Sequence, residues 1–154
     1  MLTEDERQEI EEELAHCARR EGASIEALKV VQRRRGWVSD EGLRDVADFL
    51  RMSAEELDSV ATFYNLIYRK PVGRHVILIC NSVSCWVMGY DRVLNALMMR
   101  LGIALGETTA DNRFTLLPVP CLGICHEAPA LMIDDDLHTN LEPGKIDRVL
   151  EGYV

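Results

Sequence analysis

Four thiols in two close pairs, Cys80-x4-Cys85 and Cys121-x3-Cys125, stand 35 residues apart in this 154-residue chain. Two thiol pairs on separate loops can converge on one inorganic centre. Thiolate is a soft ligand, so the centres it suits are an iron–sulfur cluster or zinc. Neither pair has the C-x-x-C spacing of a dithiol redox enzyme. The x4 and x3 spacings fall within the range of tetrahedral cysteine sites, so spacing alone leaves zinc in play. A structural zinc usually staples a domain that lacks a core. Here the apolar strands and helices already supply one, which favours a redox cluster, and four thiolates match the complement of a binuclear centre. Between the second pair, Leu122-Gly123-Ile124 places apolar cover around a glycine that lets peptide N–H groups approach sulfur. Trp86 and Val87 are candidates to shield the other side, although ordinary aromatic packing explains Trp86 equally well. His126 is adjacent to Cys125, but with four cysteines present a mixed histidine–cysteine cluster is not required. Cys17 lies apart, in a helical pattern, and reads as a small buried hydrophobe.

The elements that must position these thiols change character along the chain. Residues 1–70 read as amphipathic helices. Thr3-Glu4-Asp5-Glu6 is a capping box, followed by Ile10, Leu14, Cys17 and Ala18 at helical spacing, with Gly22 as the stop. Ser24 is positioned to cap a second helix, with Ala27, Leu28 and Val31 inward and Gly36 at its end. Ser39 caps a third, carrying Leu43, Val46, Ala47 and Leu50. A second capping box, Ser53-Ala54-Glu55-Glu56, opens a fourth with Leu57, Val60, Ala61 and Tyr64 on its apolar side. Each helix is short, so all depend on packing. Arg33-Arg34-Arg35 closes the second helix and suits its C-terminal dipole.

Arg69–Arg74 forms the boundary. Residues 71–154 then read β-α-β-β-α. His75–Ile79 is a short β-branched run suited to a central strand ending at Cys80. A helix spans Tyr90–Leu101 with Gly102 as C-cap, and Phe114–Val119 is the second strand. Ala130–Ile133 and Leu137–Thr139 flank Asp134-Asp135-Asp136, a solvated hairpin turn that lacks the ligand spacing of a calcium loop. A last helix starts at Pro143. In such a parallel unit, ligands gather beyond the carboxyl ends of the strands. Cys80 closes the first strand, Cys85 lies in the loop that follows, and Cys121 and Cys125 follow the second strand. Both pairs are therefore expected at one edge of the sheet.

Composition bounds the partners. A net charge of −9, from 26 acidic against 17 basic side chains, works against nucleic-acid binding. No apolar run approaches a membrane span. The acidic N-terminus lacks a signal-peptide core, which predicts a cytoplasmic compartment where paired cysteines stay reduced. No Gly-rich phosphate loop, G-x-S-x-G or H-E-x-x-H is present, so no independent substrate site is expected.

Cys80-x4-Cys85-x35-Cys121-Leu-Gly-x-Cys125 with a following Ala128-Pro129 resembles the small [2Fe–2S] subunits of respiratory complex I, the bacterial E type. Gly36-Trp37-Val38, Val60-Ala61-Thr62-Phe63-Tyr64 and Pro71-Val72-Gly73-Arg74-His75 are similar to stretches of that family, so the resemblance covers nearly the whole chain. It implies an α+β chain with a helical bundle (1–70) and a thioredoxin-like ferredoxin domain (71–154). It implies one [2Fe–2S] cluster held by Cys80, Cys85, Cys121 and Cys125. It also implies a larger flavoprotein partner that binds FMN and NADH, with the rest of the peripheral arm beyond it, and a place peripheral to the inner membrane through the complex. The cluster would exchange single electrons with that flavin, off the main electron path. Relatives serve NAD-linked hydrogenases and formate dehydrogenases, and the motifs do not separate these settings. Ala128-Pro129 resembles the cis-proline position of thioredoxin-like folds, which predicts a cis bond there.

Overall fold

The computed structural model describes residues 1–153, which form two compact units: Met1–Pro71 and the residues from Val72 onward. The first unit is helical. Thr3 and Ser53 form capping boxes with Glu6 and Glu56, opening α1 (Glu4–Leu14) and α4 (Ala54–Phe63). Ser39 accepts from the Gly42 amide and opens α3 (Asp40–Leu50). Between α1 and α3 runs α2 (Ser24–Arg35), ended by Gly36 at φ +83°. Ile10, Leu28, Leu50 and Leu57 are fully buried where the four helices meet. Removing side chains of this size from water is the main favourable term holding such a bundle.

Three expectations for this unit fail. The first helix stops at Leu14 rather than at Gly22, and a single 3-10 turn, Arg20–Ala23, follows. The cause is tertiary: Arg20 donates to the Phe49 carbonyl at 2.7 Å and lies over the Phe49 ring, which fixes the turn against α3. Ser24 does not cap α2; its hydroxyl donates back to the Glu21 carbonyl. Tyr64 is exposed at the end of α4 rather than packed. The Arg33–Arg35 run also does more than face a dipole. Arg34 pairs with Glu9 and Asp5, and Arg35 grips Glu6, tying α2 to α1.

The second unit is a mixed four-stranded sheet of order β2-β1-β3-β4. Strand β1 (His75–Cys80) runs parallel to β2 (Phe114–Val119), in a register that sets Cys80 opposite Val119. It runs antiparallel to β3 (Leu131–Ile133), which turns into β4 (Asp136–His138). Being central, β1 is buried from Val76 to Cys80, as its continuous apolar run requires. Two helices connect β1 to β2: α5 (Val83–Met88) and α6 (Tyr90–Leu101), the second ended by Gly102. The chain then passes through the cis peptide Ala128–Pro129, and α7 (Ile146–Glu151) follows β4 after a 3-10 turn at Pro143–Lys145. The acidic turn is not simply solvated. Asp134 accepts from the Val76 amide at 3.0 Å and pairs with the His75 ring at 2.6 Å. Among the described residues no helix is long and apolar enough to cross a membrane.

Candidate iron–sulfur site

Each thiol is delivered by a specific element. Cys80 is the last residue of β1 and is buried. Its amide donates to the Ala130 carbonyl, and the next amide, Asn81, donates to Val119, so the strand end is held on both sides. Cys85 is also buried, in the middle of α5. It is therefore on a helical turn and not in a loop as the sequence suggested. The five-residue step from Cys80 through one tight turn brings Cys85 within electrostatic reach of Cys80. Cys121 and Cys125 lie beyond β2, both exposed, the latter opening a 3-10 turn. Their sulfurs are 3.8 Å apart. Two thiolates on one tetrahedral metal, with bonds of about 2.3 Å, sit at about the same separation. Gly123, at φ +79°, lets the chain reverse between them and donates its amide to Cys121 Sγ at 3.3 Å. Leu122 and Ile124 flank it half-buried.

The backbone of Leu122, one residue past Cys121, is among the groups that lower the Cys80 thiol. Burial pushes the Cys80 thiol up, but donors from the Ser82 side chain, the Ser82 and Leu122 amides and Cys85 outweigh it and leave it below the usual thiol range. Burial and the bond with Cys80 push Cys85 up. Of the buried pair, Cys80 is thus the sulfur better prepared to carry negative charge.

Among the described residues no three Cys, His, Asp or Glu side chains gather closely enough to share a single metal ion. The four thiols come instead as two pairs. A binuclear cluster takes two thiolates per iron, and two pairs supply that number. Trp86 and Val87 do not pack into the core. They are 61% and 72% exposed, and with Val83 and Met88 they make α5 an apolar helix facing outward. His126 is exposed, 3.7 Å from Glu127. Cys17 is half-buried in the helical unit. Sequence reasoning missed α5 and Ser82. The clue to the latter was a serine two residues past a cysteine, with a helix following.

A thioredoxin-type sheet with two thiol pairs beyond its parallel strands defines a class of iron–sulfur electron carrier. Residues 10–154 match the thioredoxin-like [2Fe-2S] ferredoxins, and the chain belongs to that family. It is similar to the E subunit of the NADH-quinone oxidoreductase of Pseudomonas aeruginosa, with 50% identity over 154 residues, all of this chain and 93% of that protein. To the corresponding protein of Escherichia coli K12 it is 49% identical over 152 residues, 99% of this chain and 92% of that one. Among solved structures, an air-oxidised NAD+-reducing [NiFe]-hydrogenase shares the fold, with a TM-score of 0.69 and 24% identity. The match covers 82% of this chain and 22% of that one.

Proposed function

We propose that Cys80, Cys85, Cys121 and Cys125 hold one [2Fe–2S] cluster, and that the chain serves as the electron-transfer subunit of an NADH-quinone oxidoreductase. When bound, the cluster supplies a one-electron couple. A hydride carries two electrons, so a flavin on a larger NADH-binding partner must divide the pair. The chain's own residues do the rest. The β1 end and α5 fix one thiol pair in a buried position. The Gly123 loop presents the other pair at the surface, where a partner can approach. The observation that carries this reading is the pairing itself: the Cys121 and Cys125 sulfurs at 3.8 Å beyond β2, with Cys80 and Cys85 at the end of β1 and on α5. In this reading the complex lies at the cytoplasmic side of the inner membrane, and this chain is held there by its partners.

Purified anaerobically, the protein is expected to be brown, to contain about two irons per chain, and to give an EPR signal after dithionite. A colourless protein with stoichiometric zinc would overturn the assignment. The hydrogenase likeness favours a second setting, the equivalent component of a soluble NAD-linked enzyme. Co-purifying subunits separate the two, since quinone reduction requires membrane subunits and the soluble enzyme has none.

A further inference from the structure

Ser82 occupies the N-cap position of α5, with the extended backbone of a cap (φ −67°, ψ 164°), yet its side chain makes no capping hydrogen bond. Serine is among the strongest N-cap residues, and using the hydroxyl this way is ordinarily worth about 1 kcal/mol. The three other serine or threonine caps in the chain, Thr3, Ser39 and Ser53, all use theirs. The Ser82 hydroxyl is instead 3.5 Å from Cys80 Sγ. A protonated thiol donates in this contact. A metal-bound thiolate has no hydrogen, so the hydroxyl must then donate to sulfur.

We infer that Ser82 tunes the cluster: its hydroxyl donates to the Cys80 sulfur and raises the midpoint potential of the one-electron couple. The inference rests on the ligation proposed above. Reduction adds one electron and one negative charge to the centre; no bond forms or breaks and no proton moves. Part of that charge resides on the ligand sulfurs, so a donor aimed at sulfur binds the reduced form more tightly than the oxidised form. The Ser82 and Leu122 amides also reach Cys80, but the backbone fixes them. Cys85 also acts on Cys80 but is itself a proposed ligand, so the hydroxyl is the side-chain group on this sulfur that a substitution removes with the ligand set intact. Because it leaves the helix amides alone, its removal takes no cap from α5.

The test is redox titration of the full chain, followed by EPR with dithionite as reductant and mediators. Wild type is compared with Ser82→Ala, Ser82→Gly and Ser82→Thr. Ala and Gly are expected to keep about the wild-type iron content and to be harder to reduce. At a fixed potential the ratio of reduced to oxidised centre should fall about tenfold, or about 59 mV for a one-electron couple. Thr, which keeps the hydroxyl, should return towards wild type. Thermal unfolding should be the same for all four, which a merely structural role would not give. Loaded Ala and Gly variants with the wild-type potential would overturn the inference while leaving the cluster in place. Loss of iron from both, with Thr loaded, would also overturn it, because the hydroxyl would then retain the cluster rather than tune it. A wild-type chain without iron would instead defeat the proposed ligation.

Discussion

Glu6 is 1% exposed, yet charged. Its carboxylate accepts from Arg35 Nε and Nη2, each at 2.7 Å, and from the Thr3 amide at 2.8 Å. One side chain thus closes a capping box on α1 and clamps α2 to it. The Arg35 fork holds the Glu6 carboxyl at about 2, against an ordinary 4.5, with burial opposing and the Thr3 amide assisting. At about 1.4 kcal/mol per tenfold change in proton affinity, this displacement amounts to about 3 kcal/mol of stability. A depressed carboxylate contributes fully above its unfolded value. Its contribution is lost as pH falls from 4.5 through about 2. The linkage relation leaves about 1.4 kcal/mol at pH 3 and under about 0.5 kcal/mol at pH 2. Glu6→Gln keeps the shape and removes the charge. Urea unfolding at pH 7 should show a deficit of about 2–3 kcal/mol, at the low end for a broken buried pair because Arg35 is partly solvated. Trp86→Phe as a background leaves Trp37 as the only tryptophan, so its fluorescence reports the helical unit. The deficit should shrink by more than half at pH 3. A deficit equal at pH 7 and pH 3 would place the cost in shape rather than charge and refute the linkage.

Serine at Cys80, Cys85, Cys121 or Cys125 should sharply lower iron content by colorimetric assay, while Cys17→Ser should leave it unchanged. Gly123→Ala meets no atom within 4 Å, so its cost is conformational, about 1–2 kcal/mol at φ +79°; iron should be lost faster to a chelator, and an unchanged rate would contradict the role given to this turn. Burial, with Asp136 accepting from its hydroxyl, pushes the Tyr153 phenol up to about 12. A raised acid stabilises the fold below its ordinary value of 10 and loses that contribution as pH rises to about 12, so an ultraviolet titration of Tyr153→Phe should show one late-ionising tyrosine fewer than wild type, the buried Tyr90 phenol, also pushed up, remaining.

Local signals carried much of the fold. Thr3, Ser39 and Ser53 announced their helices because capping is a contact of three residues. The run Val76–Ile79 announced a central strand because both faces of that strand are buried. The end of α1 was illegible, since residues 15–18 contain no stop residue and the turn is held by Arg20 on Phe49, 29 residues away. Helix α5 was illegible for a different reason. Val83, Trp86, Val87 and Met88 face outward, so the amphipathic period that betrays a helix is missing. At the site, spacing revealed two thiol pairs. It did not reveal that one pair is buried and the other exposed, because Cys85 is buried on the helix that the pattern did not show, and Cys121 and Cys125 lie on an irregular segment beyond β2.

That inequality bears on how the proposed cluster would be held. The buried pair is fixed by a strand end hydrogen-bonded on both sides and by a helical turn, so its geometry is set by the fold before any metal arrives. The exposed pair depends on a turn through Gly123, where an added Cβ would meet no atom within 4 Å. A rigid half and an adaptable half would suit a binuclear centre, which takes two thiolates on each iron. Leu122, beside Cys121, lowers the Cys80 thiol, and the Ser82 hydroxyl contacts its sulfur, so each loop carries a group that acts on Cys80. Ser82, on the first loop, can alter the potential without loosening the grip.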